Sequence, residues 1–255
     1  MNKTITVFRL PCDAEKRADE IVGACAVAID VLRSTTTLTY ACKAGVSKIV
    51  PVLCAEDALK FKAGSAEDII LGGEQGCNRI PQFDVGNSPS DMIPELVKNK
   101  TLVFKSTNGT LAMFAAKRAK KLLLGCLANV GALARELLLE DRVVLICSGT
   151  EGQVTSEDIL LAGMIVSKLK SEDELFILDE TAESCLDFWN QESKERDLYE
   201  SLLRSGGAKN LLQLGYDNDI EFAARCNTTD AVPQIEFDKI DYSILGESVA
   251  NYDIH

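Results

Sequence analysis

The chain is almost without histidine: in 255 residues the single imidazole belongs to His255, the last residue. That sets aside histidine phosphatases, Ser-His-Asp hydrolases and histidine-ligated zinc sites. Nine cysteines form no C-x-x-C pair, and their odd number reads as reduced buried thiols, not as a disulfide frame or zinc site. No apolar run approaches the roughly 18–20 residues that a membrane span requires. The start, Met1-Asn2-Lys3-Thr4, lacks the charged, apolar and small order of a signal peptide, so a cytoplasmic protein is expected. The common phosphate motifs are missing as well. There is no G-x-x-x-x-G-K-[ST] loop, no G-x-G-x-x-G, and no cysteine followed six residues later by arginine. The only D-x-D, Asp217 to Asp219, falls in a late helical stretch and not at a strand end.

Positive charge is also scarce. Lys and Arg number 27 against 39 Asp and Glu, a net charge of −12, which argues against a nucleic-acid surface. The same field repels a phosphorylated substrate, so a local cation or bound metal must reverse it where such a substrate binds. Any chemistry has to come from carboxylates, hydroxyls, Arg or Lys, and metal.

What is present is ordinary for a soluble globular chain, with 46% hydrophobic and 26% charged residues. Apolar strand-like runs at 4–8, 24–29, 48–52, 68–71, 101–104, 121–124 and 142–147 alternate with helical spacing, and 232–235 reads as a closing edge strand. The strand at 68–71 is expected to break at Gly72-Gly73, opening a long loop to Pro94. Residues 180–203 read as one long mixed helix broken by Gly206-Gly207, followed by a short helix over 217–226 and a loosely held tail past Ser243. The pattern predicts an α/β fold: one three-layer αβα domain spanning 1–255, with a largely parallel or mixed sheet and a helical C-terminal elaboration. Oligomeric state is open at this level; a symmetric homodimer is the common arrangement for such enzymes.

Four strands stop in polar, flexible segments: Asp30 to Thr37, Gly72 to Glu74, Lys105 to Thr110, and Ser148 to Gly152. In open α/β sheets ligands bind beyond the carboxyl ends of strands, so four parallel strands would bring these segments to one pocket. Their chemistry is complementary. Ser34, Thr35, Ser106, Thr107, Thr110 and Ser148 supply hydroxyls, and Gly109 and Gly149 permit close backbone approach. Arg33, Lys105 and Arg79 supply positive charge, while Asp30, Glu74, Glu157 and Asp158 supply the hard oxygens that Mg²⁺ prefers. Plainer roles compete for several of these. Thr155-x-x-Asp158 fits a capping box, Asn108-Gly109 a turn, and Arg79 a solvated loop charge. The acidic stretch 171–204 reads as a solvated helix face.

The blocks IDVLRSTTT, GGEQG, GNSPSD, STNGT, SGTEGQVTSEDILLAG and GYDNDIEFAARCNTTDAVPQI, spanning residue 29 to about 235, resemble the magnesium-dependent 2-phosphosulfolactate phosphatases of coenzyme M biosynthesis. Gln75 and Asp91 stand where the family pattern has arginine and glutamate. The resemblance implies hydrolysis of (2R)-O-phospho-3-sulfolactate, or a related phosphorylated 2-hydroxy acid, to the free hydroxy acid and phosphate. It implies Asp30, Arg33 and Glu74 as catalytic residues. Mg²⁺ would be held by Asp30 and Glu74, with Glu157 or Asp158 as a third ligand. Arg33 with Ser34, Thr35, Thr107, Asn108 and Gly109 would hold the phosphoryl group, and Lys105 and Arg79 would meet the carboxylate or sulfonate. A non-catalytic binding module, or an isomerase or lyase on such a substrate, are the alternatives.

Overall fold

A computed structural model describes residues 3–246; His255 and most of the tail past Ser243 lie outside the described residues. Among the described residues ten strands occur in chain order: β1 (Lys3–Phe8), β2 (Cys25–Ile29), β3 (Lys48–Pro51), β4 (Ile69–Gln75), β5 (Asn78–Arg79), β6 (Thr101–Lys105), β7 (Lys121–Gly125), β8 (Arg142–Cys147), β9 (Phe176–Leu178) and β10 (Gln234–Ile235). They build not one sheet but two. The larger has the order β10-β7-β2-β8-β1-β9, parallel except for β10. The smaller has the order β3-β6-β4-β5, parallel except for the β4–β5 hairpin.

β2 lies near the middle of the larger sheet, and all five of its residues are buried. That is why Cys-Ala-Val-Ala-Ile reads as a continuous apolar run instead of an alternating one. Cys25, Val27 and Ile29 join one apolar cluster, with Leu133, Leu161 and Ile165 from helices Val130–Leu137 and Ser156–Glu172. Ala26 and Ala28 face the other way. They join a second cluster with Leu38 of helix Ser34–Lys43, Met113 of helix Gly109–Ala115, and Val50, Leu71 and Val103 of the smaller sheet. The small alanines on this face leave room for these two helices to pack against the larger sheet.

The α/β architecture agrees with the sequence pattern, with physical departures. Gly72-Gly73 do not end their strand, and β4 runs through them to Gln75. A side chain at Gly73 would put its Cβ 1.9 Å from the Lys105 carbonyl, and its φ is +133°, so the glycine permits strand contact instead of a turn. The 180–203 segment is two helices, Glu180–Glu195 and Leu198–Leu203, because Asp197 caps the second through Glu200 N. Gly206 and Gly207 begin helix Gly206–Gln213, capped by the Ser205 hydroxyl. Helix Asp217–Ala224 and edge strand β10 lie where the pattern places them; β5 and β9 were too short to show.

Candidate active site

Register brings the four strand ends together. Ile29 lies opposite Cys147, and Ser148 N donates to the Ile29 carbonyl at 2.8 Å, so Asp30 and Ser148 leave the larger sheet side by side. In the smaller sheet Gly73 lies opposite Lys105, which brings Glu74 beside Thr107. The two sheets meet through their loops. Arg33 Nη2 donates to the Cys77 carbonyl at 2.7 Å, and Glu151 N donates to Asn108 Oδ1 at 3.1 Å. A Cβ on Gly109 would stand 2.5 Å from both Asp30 Oδ2 and Ser34 Oγ; only glycine lets the two helix starts approach this closely. The result is a small cleft of about 40 Å³ whose lining includes Asp30, Arg33, Glu74, Thr107 and Asn108.

Its carboxylates differ in how much of their hydrogen-bonding capacity is used. Asp30 is buried and takes one side-chain bond, from the Ser34 hydroxyl at 2.8 Å. Burial drives its carboxyl up to about 7, and the neighbouring charge on Asp158 adds to the push. Glu74 binds three protein donors: Thr107 N at 2.5 Å, Cys77 N at 2.7 Å and Thr107 Oγ1 at 3.0 Å. It thereby ties β4 to the loop after β6 while remaining on the cleft wall. Asp158 binds four: Val31 N at 2.9 Å, Ser148 N at 3.1 Å, Ser148 Oγ at 3.0 Å and Gly149 N at 3.0 Å. Burial, then the charge of Glu157, raise it to about 7. Glu157 points to the next helix start, where Oε1 accepts from Gly207 N at 3.2 Å, and Oε2 is buried without a partner.

Arg33 is the best-anchored group. Its guanidinium is buried, pairs with Asp219 Oδ2 at 2.7 Å, donates to the Cys77 carbonyl, and lies 4.2 Å over the Tyr216 ring. Asp219 Oδ1 also accepts from Ser88 Oγ at 2.5 Å. Asp219 and Tyr216 are functional residues that the sequence pattern does not single out: the D-x-D that contains Asp219 matches a phosphatase signature only in residue type and lies on a late helix. The one local signal is Tyr216 three residues before Asp219, a helical spacing, and it lies 186 residues from Arg33.

Several of the sequence candidates are engaged elsewhere in the structure. Arg79 is exposed, with Nη1 on the Asp84 carbonyl, and is absent from the cleft lining. Lys105 is buried and spends its ammonium on the Glu74 carbonyl and Gln75 Oε1, away from the cleft, where burial lowers its pKa. Ser106 and Thr110 bond each other across the start of their helix, and the Thr35 hydroxyl bonds the carbonyls of Asp30 and Gly125. Ser148 and Gly149 hold Asp158. The Thr155 hydroxyl has no partner, so the Thr155–Asp158 capping box does not form. Asn108-Gly109 is a helix start rather than a free turn.

Among the described residues no three His, Cys, Asp or Glu side chains converge as a metal cage, so neither Glu157 nor Asp158 stands as a preassembled third ligand beside Asp30 and Glu74. Asp158 is consumed by backbone donors, and Glu157 does not line the cleft. The donor set fits Mg²⁺ in its more common form, one or two carboxylates with water and substrate oxygens. Among the described residues the cleft wall carries Asp30, Glu74 and Glu151 against one cation, Arg33, and this excess of negative charge is what a cation would relieve.

Among the described residues no helix is long and apolar enough to cross a membrane. The family profile described as 2-phosphosulpholactate phosphatase matches residues 12–237. Relatives each named as a probable 2-phosphosulfolactate phosphatase come from Caldanaerobacter subterraneus, Clostridium novyi and Carboxydothermus hydrogenoformans. The first is 36% identical over 82% of this chain and 87% of its own length. The second is 34% identical over 88% and 94%, and the third 38% identical over 82% and 84%.

Proposed function

From the premise that this chain belongs to the 2-phosphosulfolactate phosphatase family, and is thus a phosphoric monoester hydrolase, we propose the following reaction. The cleft hydrolyses (2R)-O-phospho-3-sulfolactate, or a close phosphorylated 2-hydroxy acid, with Mg²⁺ held at Asp30 and Glu74. One observation carries this reading: a buried acid, Asp30, with a single side-chain hydrogen bond to Ser34, shares a cleft with an arginine fixed on three sides. Bound Mg²⁺ would neutralise the acids and the phosphoryl oxygens and align the substrate for in-line displacement.

The remaining work belongs to the protein. Arg33 presents a guanidinium whose orientation is set before substrate arrives, so stabilising the charge on the transferring group needs little reorganisation. Ser34 holds the Asp30 carboxylate, and Glu74 fixes the Thr107 backbone and hydroxyl at the cleft wall. Gly109 keeps the helix start near the phosphoryl position without a side chain between. Water replaces the alkoxide at phosphorus, giving inorganic phosphate and the 2-hydroxyl of sulfolactate.

Phosphate release from phosphosulfolactate and a panel of phospho-2-hydroxy acids, with and without Mg²⁺, tests this. Metal-dependent release with phosphosulfolactate ranked first is expected. Folded protein that releases phosphate from none of them would sink the proposal. Fast quench at saturating substrate assigns Asp30: a trapped phosphoenzyme would make it the nucleophile, and none is expected from an acid that anchors the cation.

A further inference from the structure

The cleft holds about 40 Å³, room for about three water molecules. Sites for small molecules run to several hundred Å³, so a substrate carrying a phosphate and two further acid groups does not enter it as it stands. One wall has to give way.

The walls are tied unequally. Asp30 and Arg33 are buried. The β4–β5 turn is pinned three times: by Arg33 on the Cys77 carbonyl, by Cys77 N on Glu74 and by Gly76 N on Thr107 Oγ1. Asn210 stands on helix Gly206–Gln213, which donates from Gly207 N to Glu157 and buries Ala208 and Leu211. The remaining wall is the segment between β8 and helix Ser156–Glu172, which brings Thr150 and Glu151 to the cleft. Residues 151–154 are exposed. Thr150 and Gln153 close a turn on each other through two bonds of 2.9 Å, so the segment can move as a unit. Among the described residues one hydrogen bond carries it to the opposite wall, from Glu151 N to Asn108 Oδ1 at 3.1 Å.

We propose that residues 149–154 form a lid over the cleft, that Asn108 is its catch, and that release of this one bond admits the substrate. The Asn108 side chain is free for the task, because it makes no capping bond to its own helix. A single neutral hydrogen bond is worth little net, so release is frequent. Charge favours release as well: the Glu151 carboxylate has no cation partner among the described residues and shares the cleft with Asp30 and Glu74. Asn108 is a positioning residue in this role, acting through the lid. The phosphatase reading supplies only the size of what must enter.

Asn108→Ala removes the catch, and Glu151→Gln removes the opposing charge while keeping the N–H. Two readouts, neither using turnover, test the lid. One is hydrogen exchange at the Glu151 amide by NMR. The other is alkylation by iodoacetamide of Cys77, a half-buried thiol on the cleft wall, counted by peptide mass against the exposed Cys12. Asn108→Ala should quicken both about 3- to 10-fold, while exchange at Ser148 N, bonded to Ile29 and Asp158 at the base of the lid, stays as it was. Glu151→Gln should slow both about twofold. Unchanged Glu151 exchange in Asn108→Ala would remove the catch, and faster exchange with unchanged Cys77 alkylation would remove the lid. Phosphate release by the unaltered enzyme is scored separately; its absence counts against the phosphatase reading and leaves the two rates to decide the lid.

Discussion

Asp30, Arg33 and Asp219 concentrate the chemistry at the residue scale. Asp30→Asn should lower kcat by at least about 100-fold while circular dichroism and thermal unfolding report an intact fold; near-normal turnover would remove both the metal-anchoring role and any nucleophilic one. Asp219→Ala strands the buried Arg33 without its carboxylate. Breaking such a pair from one side costs about 3–5 kcal/mol, so both denaturant midpoint and turnover should fall. The raised pKa values of Asp30 and Asp158 also set a pH dependence. Each binds its proton more tightly folded than unfolded, since each titrates near 7 against an ordinary 3.8. Between those values the native state holds more protons, so stability falls as pH rises. Metal-free protein should lose thermal stability from pH 5 to pH 8, and Mg²⁺ should flatten that loss; a stability that climbs over the same range would contradict the buried, charge-crowded setting of these acids.

At the scale of elements, two glycines show that spacing rules and packing rules can give opposite readings of one residue. Gly72-Gly73 looks like punctuation, yet β4 continues through it because the Lys105 backbone of β6 leaves no room for a Cβ. Gly73→Ala meets both that clash and a positive φ, and is expected to cost more than about 2 kcal/mol, read as a large fall in unfolding temperature or in soluble yield. Gly109 was anticipated as a point of close approach, and it is one, against Asp30 and Ser34. The helical capping signal at Thr155 failed for a different reason. Asp158 sits where Val31, Ser148 and Gly149 offer backbone N–H groups, and satisfying buried donors between two strands outweighs closing a local cap.

Over the whole molecule, a net charge of −12 surrounds a cleft whose own wall is acidic. Such a field slows the approach of an anionic substrate. Raising NaCl from about 10 to about 100 mM at fixed Mg²⁺ should therefore increase kcat/KM, because the screening length drops from roughly 30 to roughly 10 Å; a steady decrease would mean that local positive charge dominates approach. The two sheets make the cleft a joint product. The end of β2 places Asp30, helix Ser156–Glu172 supplies the Asp158 latch that ties the ends of β2 and β8, β4 supplies Glu74 and the loop after β6 supplies Thr107, and the late helix Asp217–Ala224 with Tyr216 beside it holds Arg33.

The linear chain was enough to establish the alternation of strands and helices, the polar strand ends, and the candidacy of Asp30, Arg33, Glu74, Thr107 and Gly109. These are local signals: hydrophobic period, glycine placement and residue type near a helix start. The division into two sheets, the withdrawal of Lys105 and Arg79, the conversion of Asp158 into a latch and the support of Arg33 by Asp219 were decided only by tertiary structure. Each depends on which distant donors and acceptors come within about 3 Å, a distance at which hydrogen bonding is decided and which chain order does not encode.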